Sequence, residues 1–179
     1  MRFFSITAKA MVLFSMMSIC SCSGSQNRNN NNQSNQIPLE TYIKVNRSLV
    51  AKEQTKIKAY LDSQNIKMNR TGTGLWYVID DPGEGGQVKR GEIVTIDYQV
   101  KLLDGTICYD SDESGPREFE VGRGGVESGL EEGILLLKEG SKARFIMPPH
   151  LAHGLVGDDD KIPARAIIRY EVEVVDIKK

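Results

Sequence analysis

Histidine is almost absent from this sequence: there are two among 179 residues, both inside PPHLAHG at 148–154. Cysteine is scarce, at three, and tryptophan occurs once. Each scarcity excludes something. Two imidazoles do not complete a transition-metal site, so a metal would need carboxylates from the nearby Asp158–Asp160 run. Pro148 and Pro149 ahead of the histidines and Gly154 behind them favour a loop over a stable helix carrying both rings at i, i+3. No CxxC pair and no GxSxG elbow occurs, and Gly122–Gly125 lacks the lysine of a phosphate-binding loop. Basic excess is missing too. The formal net charge is −1, with no Lys/Arg stripe among aromatics, and so no footprint for nucleic acid. Acidic pairs such as Asp80-Asp81 and Glu131-Glu132 fall at turns or solvated helix faces, which argues against a hydrolase dyad. No apolar run reaches the roughly 20 residues of a spanning helix.

A shorter apolar run is present at the start. Arg2 and Lys9 precede Ala10–Ile19, about the length of a signal-peptide core, and the run ends in Ile19-Cys20-Ser21-Cys22. An aliphatic residue three before a cysteine and a small one directly before it resemble a bacterial lipobox. The expectation is a leader at 1–21 and an acylated Cys22 at the mature N-terminus, with cleavage releasing a soluble protein as the alternative. Acylation of Cys22 leaves Cys108 as a single thiol with no internal partner, best read as a small buried hydrophobe. The following polar stretch (SGSQNRNNNNQSNQ) has too little apolar surface to offset the entropy of ordering it, and 22–37 reads as a flexible spacer.

From Pro38 the pattern turns helical. Leu39, Tyr42, Ile43, Leu49, Val50, Ile57, Tyr60 and Leu61 recur near a period of 3.6, interrupted by polar Glu53 and Gln54, and predict an amphipathic helix over 39–64 within a segment 38–70. Its stripe must cover its own domain, a second copy (a homodimer) or a partner. Over 71–179 the period changes to two. Strands are expected at 75–80, at about 94–102 before an Asp104-Gly105 turn, in a short run after that turn, at 117–121, at 141–148 and at 166–177. VESGLEEGILLL (126–137) reads as one short helix with Val126, Leu130, Ile134 and Leu137 on a face. The sum is an α+β domain, a curved antiparallel sheet of about five or six strands around one short helix, with a groove between helix and sheet as the natural pocket.

The order DYQVKLLDG, YDS (109–111), VGRGGVESGLEEGI, PPHLAHG and IPARAIIRYEVEVVDI resembles the FKBP-type peptidyl-prolyl cis–trans isomerases over about 100 residues. The resemblance implies an FKBP-like fold wrapped around its short helix and catalysis of X–Pro rotation in extended or unfolded polypeptides, with no cofactor or metal. It also implies an exported, acylated member at the bacterial cell envelope. That member would be membrane-tethered and periplasm-facing, assisting the folding of exported proteins or associated with gliding motility. The alternative is a catalytically weak, chaperone-like binding lipoprotein using the same pocket. Carried over by motif, Tyr98, Phe119, Val126, Ile162 and Tyr170 are the implied pocket walls, and Asp110 is the polar contact beside the proline. The backbone N–H of Glu127 would receive a substrate carbonyl. His153 stands where the family has tyrosine, as a rim donor, and His150 is a solvated loop residue. Departures are Leu130 where a tryptophan commonly floors the pocket, Arg117 where an aromatic is usual, and one extra residue after Asp-Gly.

Overall fold

The structure is a computed structural model in which residues 38–179 are described; the leader, Cys22 and the spacer lie outside the described residues. Seven strands form one antiparallel sheet: β1 (Asn69–Arg70), β2 (Trp76–Asp81), β3 (Ile93–Leu102), β4 (Ile107–Asp110), β5 (Arg117–Glu120), β6 (Lys142–Met147) and β7 (Ile168–Lys178). Their spatial order is β1-β2-β6-β7-β3-β4, with β5 also on β3. The helices are α1 (Leu39–Gln64), the one-turn α2 (Ser111–Ser114) and α3 (Ser128–Ile134), with a 3-10 turn at Pro149–Leu151. The additional strand is β1, too short to show any alternation in sequence.

Strand β3 organises the site. One edge pairs with β7 along its whole length, while the other is shared: Ile93–Ile96 pair with β5 and Gln99–Lys101 with β4. Tyr98 falls in the gap between these two partners, and its N–H donates instead to Ser111 Oγ at 3.0 Å. That side-chain acceptor satisfies a donor the ladder would otherwise leave open, and it ties the β4–β5 connection against Tyr98.

The sheet buries both faces, against different helices. On the inner face, Val94, Ile96, Val100, Phe145, Met147, Tyr170, Val172 and Val174 pack with Leu130, Ile134 and Leu137. Each of these fully buried side chains contributes roughly 1.5–3 kcal/mol. Helix α3 comes close because Gly129 and Gly133, one turn apart, face β6. A Cβ on Gly129 would lie 2.8 Å from Met147 Sδ, and one on Gly133 2.7 Å from the Phe145 ring. α3 spans seven residues rather than the twelve of the 126–137 expectation, yet Leu137 beyond its end is still buried.

On the outer face, Ile57 and Leu61 of α1 pack on Ile146 and Ile167, with Tyr60, Ile66, Met68, Trp76 and Leu103 around them. The helix stops at Asn65, whose φ of 54° is tolerable for asparagine. Glu53 and Gln54, the polar break in the apolar stripe, lie within the continuous helix expected over 39–64. Gln54 Oε1 accepts from the Trp76 indole at 2.8 Å, and Glu53 Oε1 is 3.0 Å from Arg165 Nη2, so the polar pair fastens the helix to the domain. The N-terminal half behaves differently: Leu39, Tyr42, Ile43, Val45 and Val50 stay exposed. The apolar stripe is thus divided, its second half docked and its first half free of the domain.

Candidate functional site

A cleft of about 480 Å³ opens between the inner face and three connections. Tyr98 and Tyr170, on adjacent strands, form its base with ring centroids 6.2 Å apart and planes tilted by 33°. Ser114, Gly115, Pro116 and Arg117 come from the β4–β5 side, Glu127 from the start of α3, and His153 and Asp158 from the β6–β7 connection, with Tyr109 beside them. Tyr98 Oη lies 3.2 Å from Ser114 Oγ, so its hydroxyl is held at the rim.

The side chain of Glu127 is the least expected occupant. Glu127 is the N-cap of α3 yet makes no side-chain cap bond. Its carboxylate turns into the cleft and is 10% exposed. Oε1 accepts from the Tyr170 hydroxyl at 2.9 Å and lies 3.1 Å from His153 Nε2. A carboxylate only accepts, so that contact places the ring proton of His153 on Nε2. Arg117 Nη1 stands 3.5 Å from Oε2, and its Nη2 donates to the Gly125 carbonyl at 3.1 Å. Oε2 itself is buried without a hydrogen bond. Burial, and then the Glu127 charge and its hydrogen bond, push the Tyr170 hydroxyl far above the usual phenol range, which keeps it a donor. No carbonyl among the described residues accepts from the Glu127 backbone N–H.

At the opposite wall the Asp158–Asp160 run acts as a loop clamp. Asp158 Oδ1 accepts from the N–H groups of Asp160 and Ile162 at 3.0 and 2.8 Å, and Oδ2 takes the Tyr109 hydroxyl. Desolvation raises the Asp158 carboxyl, but these hydrogen bonds, Tyr109's foremost, outweigh it and bring it down to about 2. The bond to Asp158, together with burial, drives the Tyr109 hydroxyl upward.

Comparison with known proteins bears on what such a cleft is. The pattern of the FKBP-type peptidyl-prolyl cis-trans isomerase family matches residues 85–175, half of the chain. This chain belongs to that family. A probable FKBP-type isomerase, FkpA, of Neisseria meningitidis serogroup B is 38% identical over 126 residues, covering 68% of this chain and 45% of that protein. The crystal structure of FkpA from Escherichia coli superposes with a TM-score of 0.63 at 28% identity, covering 78% of this chain and 68% of that one. The crystal structure of AtFKBP13 gives 0.60 at 26%, covering 63% of this chain and 99% of that one. The fold is therefore FKBP-like, as the sequence motifs implied. The chain spans about half the length of the curated relatives it matches.

Within this FKBP-type cleft the structure brings together four of the residues singled out from sequence: Tyr98, Glu127, His153 and Tyr170. Phe119, Leu130 and Ile162 are buried behind the lining, with Val126 packed against the same core, and they support the walls rather than form the surface. Asp110 is elsewhere. Its cross-strand partner is Gln99, whereas Tyr109 is paired with the buried Val100, and partners across a ladder share a face. The extra residue after Asp-Gly is absorbed as an irregularity between Val100 and Lys101, which turns Tyr109 toward the cleft and Asp110 to the outer face. There Asp110 accepts from the Asp112 N–H, capping α2, and from Gln99, which hold its carboxyl below the usual value. The expectation of Asp110 beside a bound proline is thus corrected. His150, though exposed, is more than a solvated loop residue: its Nε2 lies 3.0 Å from the Thr73 carbonyl. The two imidazoles therefore face different partners. Sequence reasoning passed over the side chain of Glu127, and it met Tyr109 only within the YDS motif and Asp158 only as a carboxylate that a metal would need. Arg117 carried a readable signal, because in a strand it shares a face with the buried Phe119, two residues on.

Proposed function

We propose that this chain is a peptidyl-prolyl cis–trans isomerase of the bacterial cell envelope, tethered through a lipid on Cys22, facing the periplasm and acting on X–Pro bonds of exported polypeptides in extended or unfolded form. The observation that carries the reading is the paired rings of Tyr98 and Tyr170 at the base of a cleft whose edge holds the unengaged Glu127 N–H. Rotation about the prolyl amide has a barrier of roughly 18–20 kcal/mol from amide resonance and takes tens to hundreds of seconds unaided. Neither a nucleophile nor an oxidant enters such a step. A prolyl ring against the tyrosine faces leaves water, which weakens the solvation of the planar, charge-separated amide relative to its twisted form. The Glu127 N–H is placed to hold a flanking carbonyl while the bond turns, and the hydrogen bonds of Tyr98, from its N–H to Ser111 Oγ and between its hydroxyl and Ser114 Oγ, fix it beneath.

The test is the refolding rate of a proline-limited protein with and without the purified chain. Acceleration that is lost in Tyr98→Ala, with the fold intact by circular dichroism, supports the reading. A well-folded sample that changes nothing refutes it. One observation favours a second reading, a chaperone-like or machinery-associated binding lipoprotein: the Arg117–Glu127 ion pair puts charge where a bare proline would sit. Suppression of client aggregation without any rate effect would select it. The exposed apolar first half of α1 supports a homodimer through that helix, and sedimentation equilibrium of wild type against Tyr42→Glu decides it.

A further inference from the structure

We propose that Glu127 makes this cleft selective for proline-containing segments with a lysine or arginine next to the proline. The proposal rests on the reading of the cleft as an X–Pro site and concerns which sequences it takes. Oε1 of Glu127 is already engaged twice, by Tyr170 and His153. Oε2 has no hydrogen bond, although the side chain is nine-tenths buried and opens on the cleft. A buried acceptor in that state is costly, and a ligand that supplies a donor removes the cost, whereas an apolar ligand leaves it in place.

Charge narrows the donor to a cation. The lining carries two carboxylates, Glu127 and Asp158, against one guanidinium, Arg117, with the Lys161 ammonium on the Asp158 side, over the Tyr109 ring. Arg117 does not saturate Glu127. It stands 3.5 Å away, its side chain is a third exposed, and its other amine is committed to the Gly125 carbonyl. An ammonium or guanidinium entering beside it meets a carboxylate oxygen with a free lone pair. It also meets the half-buried ring of Tyr98, whose face attracts cations, whereas Tyr170 is buried and the Tyr109 ring already carries the Lys161 ammonium at 5.2 Å. An anionic neighbour of proline would instead face two carboxylates.

The experiment uses the full chain and three short peptides that differ only at X before proline: lysine, leucine and glutamate. Binding is followed by chemical-shift titration and cis–trans exchange by exchange spectroscopy on the same samples. The expected affinity order is lysine over leucine over glutamate, with lysine favoured over leucine on the order of tenfold, the scale of a hydrogen bond to a charged group. Glu127→Gln, which keeps shape and removes charge, should bring the lysine-to-leucine ratio near one. Arg117→Leu should raise it, since a competing cation is gone. Equal binding of the three peptides by wild type, or a ratio unchanged in Glu127→Gln, overturns the proposal, and exchange acceleration in that case would leave the isomerase reading standing. Lysine preference without acceleration of exchange supports the proposal and removes the isomerase reading instead. Absence of binding for all three overturns both.

Discussion

Replacing Gly133 by alanine puts the contact between α3 and the sheet to a quantitative test. In an open helix the change is favourable by about 1 kcal/mol, because glycine gives up more backbone freedom than alanine. Here the new Cβ would lie 2.7, 2.9 and 3.0 Å from three carbons of the Phe145 ring, against ordinary contact beyond about 3.4 Å. Phe145 is fully buried on β6 and has nowhere to go, so the overpacking cost belongs near the upper end of the usual 1–3 kcal/mol. The net expectation is a loss of about 2 kcal/mol. With a urea dependence of about 2 kcal/mol/M for a domain of this size, the unfolding midpoint should fall by about 1 M. Gly72→Ala is the control: nothing lies within 4 Å of its Cβ position, and the same chemical change should leave the midpoint level or raise it slightly. Urea titrations followed by tyrosine and tryptophan fluorescence decide the matter. A Gly133→Ala protein as stable as wild type would refute the close approach of α3, and with it the placement of Glu127 at the cleft.

Three other expectations follow from contacts described above. Tyr170→Phe leaves Glu127 Oε1 with His153 as its remaining hydrogen-bond partner and should cost about 1–3 kcal/mol in thermal or chemical unfolding, while adding Glu127→Leu should recover part of that loss, since both members of the pair are then apolar. Ile57→Ala, at a fully buried position under α1, should cost about 2–5 kcal/mol, against less than about 0.5 for Ile43→Ala on the exposed half of the same helix in a monomeric sample. The Asp158 carboxyl sits at about 2 in the folded chain against an ordinary 3.8. Its stabilisation is therefore complete above about pH 5 and is lost as pH falls through 4 toward 2, and Asp158→Asn should flatten the acid limb of a stability–pH curve in that window.

Periodicity made most of the architecture legible. The helix at 39–64 and the strands around 94–102, 141–148 and 166–177 announce themselves through a period of 3.6 or 2, which in the strands and in the second half of the helix reports a face buried against the domain. Contacts between distant segments leave no such trace. Glu53 and Gln54 look like a break in an apolar stripe, and their attachment to Arg165 and Trp76 becomes visible only once α1 lies on the sheet. Asp110 failed for a sharper reason: one inserted residue exchanges the two faces of a strand, and no local pattern says where the insertion is absorbed. Glu127 was read for its backbone alone. The side chain matters because Tyr170 and His153, 43 and 26 residues further on, converge on it.

The family resemblance and the folding unit do not share a border. The matched stretch begins at residue 85, but β2, which ends at Asp81, is the neighbour of β6 on the side away from β7. A fragment cut to the matched residues would leave the amide and carbonyl row of β6 bare and uncover Ile146 and Ile167 where α1 rests. A bare row beside a greasy patch is a template for pairing with another chain. The smallest piece worth expressing thus starts well upstream of the resemblance, inside the helix at Glu53 or earlier, because the outer face is closed by a segment the family pattern does not include.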